Sequence, residues 1–198
     1  DGLGYVLPKS MQDLLLDYQV TAVRTLARRI VRRGGTMLGD VVGLGKTLTA
    51  VATALMLQAA EDYSTLVLCP KNLETMWREH LDAYGVEGAR VVPYSMADKV
   101  LPDLKLFKLV ICDESHNLRN DATKAHEAIR DYVRRNSSKV LLLTATPYNL
   151  AFADVANQLA LYIDEDDDLG IIPSAAMAKD HTLADKVDGK TNTLEAFK

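Results

Sequence analysis

The chain has 198 residues, of which 48% are hydrophobic and 25% charged, and its formal net charge is −4. These values are typical of a globular protein that can bury a core. No apolar run reaches the roughly 18–20 residues of a membrane-spanning helix, which excludes a membrane protein. The negative balance excludes a polycation, so any nucleic acid would have to bind in a local groove.

The beginning of the chain and its cysteines indicate the compartment. The first residues lack the basic segment and apolar stretch of a signal peptide, and no initiator Met is present, so we expect a piece of a longer protein. Cys69 and Cys112 lie in apolar runs, which favours buried thiols over a disulfide or a metal pair. Together these features predict a cytoplasmic protein in a reducing environment.

Helical and strand patterns alternate along the chain. A long amphipathic segment comes first and ends at Gly34 and Gly35, after which a short apolar strand leads into a glycine-rich turn at 43–45. In chain order we predict helix 11–33, strand 36–39, helix 46–60, strand 65–69, helix 73–84, strand 91–94, strand 106–113, helix 122–135, strand 139–144 and helix 152–162.

This alternation predicts the fold class. The strands are continuously apolar, as expected when helices cover both faces of a sheet. Strands that alternate with helices form βαβ units, so we expect an α/β domain with a mainly parallel sheet and helices on both faces. Beyond Ile163 an acidic run and weakly periodic residues follow. We therefore assign 1–163 to one domain and 164–198 to a solvated connector or truncated insert.

A glycine-rich turn between the first strand and the second helix is typical of a phosphate-binding site. Residues 40–47 read DVVGLGKT. Glycines let several backbone N–H groups point at one anion, and the following helix N-terminus adds positive potential. In this pattern Lys46 would reach the β- and γ-phosphates, and the Thr47 hydroxyl would bind Mg²⁺. Asp40 occupies the first glycine position of the strict motif, and the alternative is a tight turn with an incidental Gly-Lys-Thr.

Two adjacent carboxylates follow the apolar run that ends at Cys112. Transfer of a phosphoryl group to water needs one group that holds Mg²⁺ and another that orients or deprotonates the water. We predict Asp113 for the metal and Glu114 as the general base. The alternative is an ordinary polar strand exit, but the glycine turn upstream supports the functional interpretation.

Six ordered segments resemble the first RecA-like domain of superfamily-two helicases, and most of all the Swi/Snf-type DNA translocases. They match the family's adenine-recognising glutamine motif and its motifs I, Ia and II, the continuation of motif II, and motif III. These segments are residues 16–19 (LDYQ), 39–47 (GDVVGLGKT), 66–70 with Trp77, 113–116 (DESH), 117–120 (NLRN) and 142–147 (LLTATP).

The resemblance implies a P-loop ATP hydrolase with RecA-like architecture, ATP and Mg²⁺ as cofactors, and double-stranded DNA as its track. In the family's pattern the side chain of Gln19 reads adenine. The residues at the phosphates and metal are Gly43, Leu44, Gly45, Lys46 and Thr47, and those that couple the nucleotide to nucleic acid are His116, Thr144 and Thr146. From the residues alone, Gln19 could lie on a helix surface, the threonines could cap a helix, and His116 could be an ordinary polar residue.

Two departures from the family pattern qualify this prediction. Val41 and Val42 stand where eukaryotic remodellers often have Glu-Met, which indicates a bacterial relative active in the cytosol or nucleoid. The sequence ends before motifs IV to VI, which belong to a second RecA-like domain and include its arginine finger. Since an absent finger costs about 10³–10⁵-fold in related NTPases, we expect the chain alone to be weakly active or inactive.

Family resemblance also predicts where nucleic acid would lie. The backbone would cross the loops near 70–72, 94–95 and 144–146, through contacts that carry no base specificity. Five arginines between Arg24 and Arg33 form a basic helix face, which we interpret as a solvated surface rather than a second binding site. Two alternatives to a DNA motor remain: an ATP-sensing regulatory module without translocation, and a small-molecule kinase, which lacks a recognisable acceptor site.

Overall fold

The computed structural model describes residues 5–39, 45–145, 152–164 and 167. It contains seven α-helices and five β-strands within those residues. The helices are α1 Lys9–Gln12, α2 Asp17–Arg33, α3 Lys46–Glu61, α4 Glu74–Tyr84, α5 Ala97–Val100, α6 Lys124–Asn136 and α7 Phe152–Leu159. The strands are β1 Gly35–Gly39, β2 Thr65–Cys69, β3 Arg90–Pro93, β4 Leu109–Cys112 and β5 Lys139–Thr144.

The five strands form one sheet in the order β1-β5-β4-β2-β3, and all described pairs are parallel. Parallel neighbours require crossover connections, which the helices supply. All strands therefore end at the same edge of the sheet, and the described residues that follow β2, β3 and β4 lie there. This edge carries both segments that the sequence predicts to be functional.

Two apolar cores lie on opposite faces of the sheet. Alternate strand residues such as Val67, Ile111 and Leu141 pack under α2, α3 and α4. Their neighbours Leu68 and Val110 belong to the second core, which includes residues of α5 and α6. A strand directs successive side chains to opposite faces, so continuously apolar strands serve both layers at once. The predicted α/β fold with a parallel sheet covered on both faces is confirmed.

Helix α3 is the most completely buried helix of the first layer. Every residue from Thr49 to Leu57 is buried. Ala, Thr and Val fill much of this segment, and small side chains let the helix lie close to both the sheet and α2. Tight packing here holds the N-terminal turn of α3 at a defined position above the edge where the strands end.

The N-terminal helix prediction was wrong in one respect. The predicted helix 11–33 is divided into α1 and α2, with Leu14 49% exposed between them. The apolar periodicity did not indicate that α2 is capped at its own N-terminus. Gln19 accepts a hydrogen bond from the Leu16 backbone N–H, and a new helix begins there. Its C-terminal end agrees with the prediction, since Gly34 has φ +85° and ends α2.

The predicted strand 106–113 was too long. The strand in the structure is Leu109–Cys112, and Leu106 is 52% exposed. Phe107 is buried in the second core, but its N–H donates to the Tyr132 hydroxyl instead of to a neighbouring strand. The apolar run therefore begins before the paired residues of the strand, because a loop residue such as Phe107 can also fill the core.

The two cysteines are buried and unpaired, as predicted. Burial raises the pKa of the Cys69 thiol to about 12, which keeps it protonated and unreactive. None of the described helices is both long and apolar enough to span a bilayer. Of the predicted connector 164–198, only Asp164 and Asp167 are among the described residues.

Candidate functional site

Gly45 and the start of α3 form the described part of the glycine turn. Gly45 has φ +78° and caps α3, and its carbonyl accepts a hydrogen bond from the Thr49 N–H at 2.9 Å. Lys46 and Thr47 are the first two residues of the helix and are partly exposed. A helix N-terminus directs its first backbone N–H groups outward and carries positive potential, so such a turn suits an anion. Gly43 and Leu44 lie outside the described residues.

Gln19 lies directly against this turn. Its Nε2 is 2.5 Å from the position that a Cβ on Gly45 would take, and its side chain is 6% exposed. Its Oε1 accepts the Leu16 N–H at 3.0 Å, so the amide is held in one orientation. The packing of α2 on α3 therefore brings together two predicted site residues that are separated in sequence.

Asp113 lies at the carboxyl end of β4 and is 6% exposed. Its N–H donates to the Leu68 carbonyl at 2.8 Å, which continues the pairing of β4 with β2. One carboxylate oxygen, Oδ2, accepts from Trp77 Nε1 at 2.8 Å, and the other, Oδ1, accepts from the Glu114 N–H at 2.8 Å. The Asp113 carbonyl also accepts from the Tyr94 hydroxyl at 2.6 Å. Neighbouring elements thus fix both the backbone and the side chain of this residue.

Burial dominates the electrostatics of Asp113. Desolvation raises the pKa of its carboxyl, while the hydrogen bonds from Trp77 and the Glu114 N–H and the positive charge of Lys46 lower it. Lys46 begins α3, the next helix after β1, and Asp113 follows β4; only β5 separates β1 from β4 in the sheet, so the two residues lie at the same edge. The structure therefore brings the predicted phosphate-binding and acidic segments together at one edge of the sheet.

Glu114 and His116 form the exposed side of the acidic segment. Glu114 has φ +49° and ψ +49°, an uncommon conformation for a residue with a side chain, and begins a 3₁₀ turn at Ser115–Leu118. Its Oε2 lies 3.2 Å from His116 Nδ1, and the two side chains are 33% and 32% exposed. Protonated imidazole would form an ion pair here, although the orientation is not that of a hydrogen bond. Backbone strain of this kind is typical of functional turns.

Thr144 is the last residue of β5, and its side chain is buried. It pairs with Gly39 of β1, the strand that leads into the glycine turn. Thr144 therefore lies beside the end of the strand that precedes the glycine turn in the sequence. Thr146 lies outside the described residues.

The described parts of the segments predicted to contact nucleic acid also lie at this edge. Lys71 and Asn72 follow β2 and are exposed, as is Ser95 after β3. The Lys71 ammonium and the Arg78 guanidinium both pair with Glu74, so Glu74 partly neutralises this cationic surface. The five arginines of α2 are exposed on the outside of the domain.

Sequence reasoning missed three residues that support the site. Trp77 was included in the motif Ia resemblance and Tyr94 in a loop predicted to contact nucleic acid, but neither was predicted to bind Asp113, as both do. Gln158 of α7 is fully buried and accepts the Ser115 hydroxyl at 2.7 Å, which ties the acidic segment to the last described helix. The sequence signal that could have indicated these contacts is a polar N–H or O–H group on an otherwise apolar face, since such groups usually find a hydrogen-bond partner when buried.

The donor set suits a hard cation with few protein ligands. No cluster of three or more His, Cys, Asp or Glu side chains that could hold a metal occurs in the part of the chain that the structure describes. Mg²⁺ at nucleotide sites takes one or two carboxylates and fills its other positions with phosphate oxygens and water. The carboxylate of Asp113 and the hydroxyl of Thr47 fit that requirement.

The sequence matches the family described as "SNF2-related domain" over residues 18–100. The protein named "Uncharacterized ATP-dependent helicase YqhH" of Bacillus subtilis (strain 168) is 29% identical over 158 residues, which cover 69% of this chain and 28% of that protein. "DNA repair and recombination protein RAD54B" of Mus musculus is 27% identical over 154 residues, covering 62% of this chain and 17% of that protein. This chain therefore spans less than a third of either relative.

Among solved structures, the SWI2/SNF2 ATPase core of Sulfolobus solfataricus in complex with dsDNA is similar in fold. The TM-score is 0.65 at 20% sequence identity, and the match covers 90% of this chain and 41% of that one. At this level of identity the likeness concerns the fold.

Proposed function

We propose that this chain, which belongs to the SNF2-related family, is the ATP-binding half of an ATP hydrolase that moves along double-stranded DNA. The observation that supports this best is the meeting of two segments at one edge of the sheet. The start of α3 at Gly45 and Lys46 follows β1 in the chain, and the Asp113–Glu114 pair follows β4, so both lie at the edge where these parallel strands end. An anion-binding turn next to paired carboxylates is the arrangement that phosphoryl transfer needs.

ATP would bind with its phosphates at the N-terminus of α3. The first-turn amides and the Lys46 ammonium would hold the β- and γ-phosphates, and residues 43–45 would complete the turn. Gln19 would contact the adenine from the side of α2. The contact between the Gln19 side chain and Gly45 supports this role, because Gly45 is the last residue of the proposed phosphate-binding turn.

Asp113 and Thr47 would hold Mg²⁺, which supplies positive charge to the phosphates during the reaction. Glu114 would take the proton from a water molecule whose oxygen attacks the γ-phosphorus, with ADP leaving. Its partly exposed carboxylate and the hydrogen bond from the Asn117 side chain to its backbone carbonyl support this assignment. Asp113 is nearly fully buried and both of its carboxylate oxygens accept hydrogen bonds, so we assign the two carboxylates different roles.

Movement along DNA would require elements outside the described residues. His116, beside Glu114, and the segment of Thr144 and Thr146 would couple the nucleotide to the loops that follow β2 and β3. A second RecA-like domain would close the nucleotide site and supply its arginine finger. We propose that residues 1–163 form one domain and that 164–198 lead out of it.

The decisive experiment measures the ATPase rate of the intact protein alone and with duplex DNA, single-stranded DNA or RNA. We expect duplex DNA to stimulate the rate most. Stimulation by RNA alone would show that the protein acts on RNA instead of double-stranded DNA. Tight ATP binding without stimulation by any nucleic acid would identify a nucleotide-sensing module instead. A translocation assay, such as displacement of a DNA third strand from a duplex, then separates movement from simple DNA-dependent hydrolysis.

A further inference from the structure

Trp77 makes a single directed contact with the acidic segment. It lies in α4, is fully buried, and donates its indole N–H to Asp113 Oδ2 at 2.8 Å. Asp113 follows Ile111 by two positions and so faces the side of the sheet that α4 covers. Trp77 and Asp113 are 36 residues apart in sequence, and the bond therefore depends on the docking of α4 against β4.

We propose that Trp77 is a positioning residue for the site: its N–H fixes the orientation in which the Asp113 carboxylate holds Mg²⁺. This inference rests on the proposed function for the assignment of Asp113 as a magnesium ligand. Partners that orient a metal ligand contribute to metal affinity, and their loss typically costs about 10–100-fold in affinity or activity.

The chemistry of the donor supports this role. Indole is neutral, so it orients a carboxylate without cancelling the negative charge that attracts a cation. A lysine or arginine at the same place would form an ion pair with Asp113 and compete with the metal. The Glu114 N–H binds the other carboxylate oxygen, so the two donors together define the plane of the carboxylate.

Tyr94 acts on the same residue from a different element. Its hydroxyl donates to the Asp113 carbonyl at 2.6 Å and therefore restrains the backbone, whereas Trp77 restrains the side chain. These two aromatic residues follow β2 and β3 in the chain. Replacing Tyr94 by Phe removes one hydroxyl at a site away from the carboxylate, which makes Tyr94→Phe a useful comparison for Trp77 variants.

Trp77 also provides its own measurement, because the chain contains one tryptophan. Excitation moves electron density of indole from the pyrrole ring to the benzene ring, so a negative charge at the N–H lowers the emission energy. Positive charge arriving at Asp113 offsets that effect. We expect the emission of the native chain to shift to shorter wavelength on addition of Mg²⁺ with the slowly hydrolysed analogue AMP-PNP, and not with the same concentration of NaCl.

Variants test the positioning role apart from packing. In Trp77→Phe the donor is lost and most of the apolar volume remains. We expect the Mg²⁺ concentration for half-maximal AMP-PNP binding, measured by calorimetry, to rise about 10-fold or more. Leu81→Ala is the matched control: Leu81 is buried one turn further along α4 and has no side-chain hydrogen-bond donor for Asp113. It should lower the unfolding midpoint while leaving the Mg²⁺ dependence unchanged.

The outcomes are distinguishable. Failure of the native chain to bind AMP-PNP at any Mg²⁺ concentration would refute the proposed function itself. Normal AMP-PNP binding with no change in Trp77 emission, or a folded Trp77→Phe variant with the native Mg²⁺ dependence, would overturn the positioning role and leave the proposed function standing. An equal change in Mg²⁺ dependence in Leu81→Ala would also overturn it, because packing would then explain the effect.

Discussion

The side-chain amide of Gln19 occupies the space that a side chain on Gly45 would need. Its Nε2 lies 2.5 Å from the Cβ position of that glycine, and its Oε1 is held by the Leu16 N–H. The start of α2 and the start of α3 therefore share one contact. A change at either residue is transmitted directly to the other, which links the predicted adenine and phosphate sites.

We expect Gly45→Ala to weaken nucleotide binding as well as stability. The left-handed backbone at φ +78° costs alanine about 1–2 kcal/mol, and displacement of Gln19 would cost about 0.5–1.5 kcal/mol more through the bond to Leu16. Gly85→Ala is the matched control, since it has φ +73° and open space around the Cβ position. Urea unfolding should show a similar loss of stability from backbone strain in both variants. AMP-PNP calorimetry should show weaker binding in Gly45→Ala alone. Equal nucleotide affinity in the two variants would contradict the shared contact.

Lys46→Ala should weaken ATP binding about 10- to 100-fold, because a charge-assisted contact to phosphate contributes about 1.5–3 kcal/mol. Lys124→Ala is a suitable control, as Lys124 is also the first residue of a helix but does not follow a glycine turn. Calorimetry at constant ionic strength would measure both. Unchanged ATP affinity in Lys46→Ala would contradict the assignment of this turn as the phosphate-binding site.

Glu114→Gln should separate binding from hydrolysis. Glutamine keeps the size of the side chain but cannot accept the proton of the attacking water, so DNA-stimulated turnover of the intact protein should fall about 10²–10⁴-fold. ATP affinity should stay close to the native value. The exposed Glu79, replaced in the same way, controls for loss of charge. Native turnover in Glu114→Gln would exclude it as the base.

The hydrogen bond between Ser115 and Gln158 should hold α7 against the acidic segment. Both side chains are fully buried and the bond is 2.7 Å long. Ser115→Ala and Gln158→Leu should each lower the free energy of unfolding by about 1–3 kcal/mol, because each removes the partner of a buried polar group. The double variant should lose less than the sum, and urea unfolding of all four proteins gives the coupling. Strict additivity would show that the bond contributes nothing.

Asp113 should make the domain less stable as pH rises. Its folded pKa is raised, mainly by burial, so the folded chain holds the proton more tightly than the unfolded chain. The resulting stability is present below the unfolded pKa of about 4 and is lost as pH rises through the folded pKa. In EDTA, the free energy of unfolding of the native chain should fall relative to that of Asp113→Asn as pH rises across this range. A relative gain by the native chain would contradict the raised pKa.

Local patterns were sufficient for most of the architecture. Strands 65–69 and 139–144 were predicted with the bounds that the structure has, because continuous apolar runs between polar turns leave little freedom. The first helix was divided differently because Gln19 caps α2 through its side chain, and periodicity carries no information about such a bond. The assignments of Gly43, Leu44 and Thr146 remain predictions.

The sequence by itself determined that a glycine turn and a pair of carboxylates follow buried strands, and a parallel sheet must bring such strand ends to one edge. Only the tertiary structure decided which side chains support them. Trp77 meets Asp113 across 36 residues and Ser115 meets Gln158 across 43. These contacts depend on how helices dock on the sheet and which way each buried N–H or O–H turns. Spacing along the chain cannot specify that, since a buried donor takes whichever acceptor the packing brings within reach.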